Sequence, residues 1–124
     1  MPETRASRSS RVFDLDLGRA TLADAMAKFG GLEGLALFEP REGPLALEAY
    51  FGNVLLGPLK AKVIVGLEAD ADDLAAIRAR ARSREGSPSG DWKYPLNDAP
   101  ERHLDRRVSV ITYIPGTRGL DAAF

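Results

Sequence analysis

From Val12 to Leu17 apolar and acidic side chains alternate, with Phe13, Leu15 and Leu17 on one side and Asp14 and Asp16 on the other. That period of two predicts a strand with one buried face. From Leu22 the period lengthens: Leu22, Ala25, Met26 and Phe29 recur at helical spacing, Thr21 and Asp24 have the separation of a capping box, and Gly30-Gly31 offers a left-handed stop. Between Leu35 and Phe51 two strands are expected around Pro40-Arg41-Glu42-Gly43-Pro44, because these residues break pairing and supply turn geometry. A second interruption is expected from Gly52-Asn53 through Gly57-Pro58. Beyond it Leu59, Ala61, Val63, Val65 and Leu67 share one strand face, opposite Lys60 and Lys62. Ile64 on the lysine side predicts partial cover by a helix or by another subunit.

Asp70, Asp72 and Asp73 open a second helical segment with Leu74, Ile77 and Ala81 as its stripe, and Arg78, Arg80, Arg82 and Arg84 crowd its later turns. These signs complement the helix dipole, and Gly86 is the expected stop. Residues 87–107 carry Pro88, Gly90, Pro95 and Pro100 and read as a long surface connection. Val108 to Ile114 supplies the last strand, closed by Pro115-Gly116. The order βαβββαβ predicts an α+β fold: a single-layer, mostly antiparallel sheet covered by two helices, a ferredoxin-like sandwich with an added strand and right-handed crossovers. One domain is expected over 12–115, with a mobile polar arm over 1–11 and a tail over 116–124.

The stretch from Leu15 through Phe38, with Leu22, Ala25, Met26, Phe29 and then Gly34-Leu35, loosely resembles the strand–helix–strand unit in the short N-terminal domain of secretins and TonB-dependent receptors. The resemblance covers about a fifth of the chain and the second half departs from it. It implies no site residue and no activity here.

Composition narrows the function classes. With 124 residues, 44% of them hydrophobic, the chain has material for one modest core. The absence of cysteine excludes disulfides, thiolate metal sites and thiol nucleophiles, and a single histidine excludes a multi-histidine metal site. No apolar run approaches the roughly 20 residues that cross a bilayer, so membrane insertion is not expected. Cytoplasmic residence is the expectation, or periplasmic or secreted if a signal peptide has been removed. A net charge of -1 argues against whole-molecule attraction to nucleic acid. The charge is nonetheless polarised: residues 14–73 hold eleven acidic and five basic side chains, residues 78–107 five acidic and eight basic.

The densest mixture of chemistry-bearing side chains lies in the 91–105 connection. Trp92 and Tyr94 have broad faces suited to anchoring a protein partner, or to pinning the connection to the core. Because imidazole as a group titrates near neutral pH, His103 is the candidate general base, with Glu101 or Asp105 to orient its ring and Asp91 nearby. Arg78, Arg82, Arg106 and Arg107 could meet an acidic protein surface, a phosphate backbone or the chain's own acidic half. No nucleophile elbow, phosphate-binding glycine loop or calcium loop is present, and no metal or cofactor is called for. The leading expectation is a small non-enzymatic protein-interaction or assembly module, homodimeric through a sheet edge or face. The alternative is a small-ligand binder or enzyme using Asp91, Glu101, His103 and Asp105, and nucleic-acid binding through the arginines is the third reading.

Overall fold

A computed structural model describes residues 11, 12, 14–56 and 58–115; the arm expected over 1–11, apart from Arg11, and the tail expected over 116–124 lie outside them. Thr21 and Asp24 close the capping box: the Asp24 carboxylate accepts from the Thr21 amide at 3.0 Å, and the Thr21 hydroxyl accepts from the Asp24 amide at 3.4 Å. Helix α1 (Leu22–Phe29) starts there and ends at Gly30, whose φ of +95° suits glycine and whose amide reaches the Met26 carbonyl at 2.9 Å.

The strand expected over 12–17 is not one strand. Asp14, at φ +66°, folds the segment back, so that β1 (Arg11–Val12) pairs with β2 (Leu15–Asp16) in a sheet of its own. The strand–helix–strand unit that resembled the secretin domain therefore has its two strands in different sheets.

The main sheet has six strands: β3 (Gly34–Glu39), β4 (Ala46–Leu56), β5 (Leu59–Leu67), β6 (Glu85–Gly86), β7 (Trp92–Leu96) and β8 (Val108–Pro115), in the order β6-β7-β3-β4-β5-β8. The expected hairpin around 40–44 forms between β3 and β4. At Gly52-Asn53 the chain does not leave the sheet; β4 passes through with a register shift between Phe51 and Val54. Every pairing is antiparallel, so the α+β class with a mostly antiparallel sheet and two helices holds, whereas the order βαβββαβ and its crossovers do not.

The largest departure is β7, which lies inside the segment expected to be a surface connection. Pro95 is compatible with it because β6 pairs only with Trp92 and Lys93. At Pro95 strand β7 is itself the sheet edge, where a missing amide is tolerated. Helix α2 (Ala71–Arg80) is capped by the Asp70 carboxylate, which accepts from the Asp73 amide at 2.8 Å. It stops at Ala81, not near Gly86. Ile77 is its one fully buried side chain, too narrow a stripe to hold further turns against the pull of β6 pairing with β7.

Cross-strand register places Leu35 and Leu37, Leu47, Ala49 and Phe51, Val63, Val65 and Leu67 on one face, with Tyr94 and Ile111. Leu22, Ala25 and Phe29 of α1 and Ile77 of α2 pack there, Phe29 meeting Phe51 with ring centroids 5.5 Å apart. Both helices thus lie on one face, as expected. The other face carries Ala36 and Phe38, Glu48 and Tyr50, Lys60, Lys62 and Ile64, Lys93 and Pro95, and Val110, Thr112 and Ile114, with no helix over it among the described residues. Among the described residues no helix is long and apolar enough to cross a membrane.

Candidate functional site

His103, read from the sequence as a candidate base, is buried at 3% exposure between the 3-10 turn Pro100–Arg102 and Arg106. Neither Glu101 nor Asp105 orients it; both are exposed. Its carboxylate partner is Asp98, whose Oδ2 lies 2.7 Å from His103 Nε2, while Arg106 donates from Nε to His103 Nδ1 at 2.9 Å. Arg80 reaches the same Asp98 oxygen at 2.6 Å, and Arg106 continues to Asp73 at 3.3 Å and to the Glu68 carbonyl at 3.1 Å. Burial acts to raise the Asp98 carboxyl, but the hydrogen bonds and charges of Arg80 and His103 outweigh it and hold its pKa below the ordinary value. The arrangement ties α2 to the segment following β7. It leaves the imidazole no unoccupied nitrogen.

Asp91 lies elsewhere: it accepts from the Arg41 amide at 2.8 Å and from the Ser89 hydroxyl at 3.0 Å, fastening the 87–91 turn to the β3–β4 loop. Tyr94 is buried, donates its hydroxyl to Glu39 at 2.6 Å and accepts from Arg78 Nε at 3.2 Å. Arg78 also pairs with Glu39 at 3.4 Å. The half-buried Trp92 carries the Arg84 guanidinium 3.8 Å from its ring centroid and backs onto Gly86, where a Cβ would stand 3.0 Å from the indole. Pinning, the structural alternative for both aromatics, is what these contacts do.

The four arginines are not gathered into one patch. Arg78 goes to Glu39 and Arg106 to Asp73, both carboxylates of the acidic half. Arg82 stands exposed beyond the end of α2, and Arg107 shares a shallow depression with Arg106, Arg102, Asp105 and Glu68.

The larger concavity lies on the open sheet face, a groove of about 650 Å³. Gly34 and Ala36 keep its floor low, Ile64, Pro95 and Ile114 make it apolar, and Tyr50 stands within it. Lys93 Nζ sits 4.3 Å from the Tyr50 ring centroid, and the Tyr50 hydroxyl donates to Glu48 at 2.6 Å. Burial first, and the adjacent Glu48 carboxylate second, push the phenol well above its usual pKa. Lys62, on the same wall, has no carboxylate within 4 Å among the described residues. Of the 91–105 segment only Lys93, Pro95 and Leu96 reach this groove. Sequence reasoning missed Tyr50 and Asp98. The alternation Glu48, Tyr50 opposite Lys62, Ile64 could have revealed the first, since it places an aromatic on the face that two helices leave bare.

In comparisons with known proteins the chain matches no family model, no curated protein and no solved structure.

Proposed function

We propose that this chain is a small non-enzymatic assembly module whose partner is a second copy of itself, met through the main sheet. The observation that carries the reading is the uncovered sheet face: Val110 and Ile114 on β8 are 45% and 43% exposed and Leu55 on β4 is 66% exposed, where monomeric surfaces ordinarily scatter such side chains singly. The ionisable groups of the 91–105 segment support no chemistry, because His103 has both ring nitrogens engaged and Asp91, Glu101 and Asp105 stand apart from it. Sedimentation velocity over a hundredfold range of protein concentration tests the reading. A concentration-dependent shift from one to two chains supports it, and a single-chain species at the highest concentration removes it.

The groove on the open face favours a second reading, a binder of a small amphipathic anion held by Lys62 and Lys93 beside Tyr50, since about 650 Å³ is within the size range of small-molecule sites. Equilibrium dialysis of an aryl carboxylate series against wild type and Lys62→Ala tests it; binding insensitive to the substitution would dismiss it. Nucleic-acid binding gains no support from arginines already paired with Glu39, Asp73 and Asp98.

A further inference from the structure

We infer that two copies join edge to edge, the segment 110–114 of β8 pairing antiparallel with the same segment of the second copy about a two-fold axis through Thr112. The inference rests on the self-association proposed above and specifies its surface.

Among the described strands β8 ends the sheet on one side and β6 ends it on the other. The two edges differ. Strand β6 is two residues long and carries Glu85, the kind of short, charged edge that resists pairing. Strand β8 is eight residues long, and from Ser109 to Ile114 it has no charged residue and no proline, with β-branched side chains at Val110, Ile111, Thr112 and Ile114. Among the described residues no further strand pairs with it between Ser109 and Ile114, and this stretch is delimited at both ends. Val108 already bonds outward, its amide to the Ala20 carbonyl at 2.8 Å and its carbonyl to the Gly18 amide at 2.8 Å, and Pro115 brings no amide to a further strand.

The order of side chains along this edge is self-complementary. Val110, Thr112 and Ile114 lie on the open face, opposite Gly66, Ile64 and Lys62 of β5. With the axis through Thr112, Val110 of each copy stands across from Ile114 of the other, and Thr112 stands across from its own copy. That gives two aliphatic cross-strand pairs and one threonine pair, all favourable in sheets. A slip of one residue would place open-face side chains against those of the helix-covered face, which specifies the register. The product is one continuous sheet of twelve strands with helices on one side. A five-residue edge buries less than the ~800 Å² per partner of tight complexes, so the dimer is expected to be reversible and concentration-dependent.

The chain has no cysteine, which permits a direct test. Thr112→Cys puts one thiol on the axis, within about 5 Å of its mate by strand geometry. Val110→Cys alone leaves its two thiols about 14 Å apart along the strands, and only the double variant Val110→Cys/Ile114→Cys restores facing pairs. All three side chains are exposed, and Lys60→Cys serves as a surface control. Each variant is oxidised mildly, or treated with a short dithiol-reactive linker, at concentrations where wild type sediments as a dimer. The expected result is covalent dimer from Thr112→Cys and from the double variant at least tenfold faster than from Val110→Cys or Lys60→Cys. Wild-type dimer in the centrifuge without this pattern would overturn the edge geometry while leaving self-association standing. A monomer at every concentration, with coupling no faster than the control, would overturn both. Val110→Lys/Ile114→Lys, with an unchanged melting temperature, is expected to lower the dimer association constant at least tenfold, and unaltered association would count against the edge.

Discussion

Arg106 donates its Nε–H to His103 Nδ1, which in the neutral ring leaves the proton on Nε2 and directs it to Asp98. A general base needs a lone pair open to a substrate, and here a guanidinium holds it. The histidine acts as a connector between two charged side chains whose ion-pair partners, Arg80 and Asp73, both belong to α2.

Asp98 is the centre of that connection, so its loss should be expensive. Replacement by Ala leaves the buried imidazole N–H without an acceptor, at a cost of about 2 kcal/mol in stability measured by urea denaturation. Asn, which keeps one acceptor and no charge, should cost less. The pH dependence follows from the direction of its pKa, held low by Arg80 and His103 against the opposing effect of burial. A carboxyl depressed in the folded state contributes stability above its unfolded pKa of about 3.9, and that contribution is lost as pH falls through the folded value. Thermal melts from pH 7 to pH 2.5 should show an acid decline in wild type that is shallower in Asp98→Asn.

Tyr94 should behave as a structural residue and not as a contact for a partner. Its hydroxyl donates to Glu39 and accepts from Arg78, so Tyr94→Phe removes two hydrogen bonds without changing packing volume. A loss of about 1–2 kcal/mol by denaturant unfolding is expected. In a Glu39→Gln background the same substitution should cost measurably less, because the strongest of its partners has already been weakened. Dimer association should be unaltered in both.

Much of the local structure was legible because it is decided within a few residues. The Thr21–Asp24 box, the Asp70 cap, the 40–44 turn and the alternation of β5 all depend on neighbours in sequence. Strand β7 was harder: Trp92, Tyr94 and Leu96 do alternate, but three positions with Pro95 among them are a short signal, and the aromatic content suggested a contact surface. What makes it a strand is β3, more than fifty residues earlier, pairing from Leu35 to Glu39. The burial of His103 was not legible for the same reason. Its burial is set by Arg80 and Asp73 arriving from α2, and nothing adjacent to His103 announces them. The charge polarity of the two halves, in contrast, did carry long-range information: Arg78 meets Glu39 and Arg106 meets Asp73 across it.

Gly66 on β5 is a place where a small change should propagate to the proposed interface. A Cβ added there would stand 2.6 Å from Val110 Cγ1, so Gly66→Ala forces Val110 to move. Overpacking of this kind typically costs about 1–3 kcal/mol, with the low end expected because Val110 is half exposed. In a Val110→Ala background the clash is gone and the substitution should become neutral or stabilising, since alanine loses less backbone entropy than glycine. Chemical denaturation of the four members of this cycle measures the coupling. Equal costs in both backgrounds would mean that Val110 does not lean over Gly66.

The open face can be read through Tyr50. Its phenol is raised above the ordinary value by burial and by the Glu48 carboxylate that accepts its proton in a 2.6 Å hydrogen bond. A free tyrosine ionises near pH 10, so a spectrophotometric titration of the folded protein should retain the Tyr50 phenol in its protonated form well beyond that point. Because the folded value is raised, the stability it contributes is complete below about pH 10 and is lost as pH climbs toward the folded value. Tyr50→Phe should remove the late phase from the titration. Glu48→Gln should bring it earlier without abolishing it, because burial, the larger cause, persists. If association covers the open face as well as the β8 edge, Tyr50 becomes more buried in the dimer, and the late phase should move further upward with protein concentration. If pairing is confined to the edge, the phase should stay where it is while the sedimentation coefficient rises.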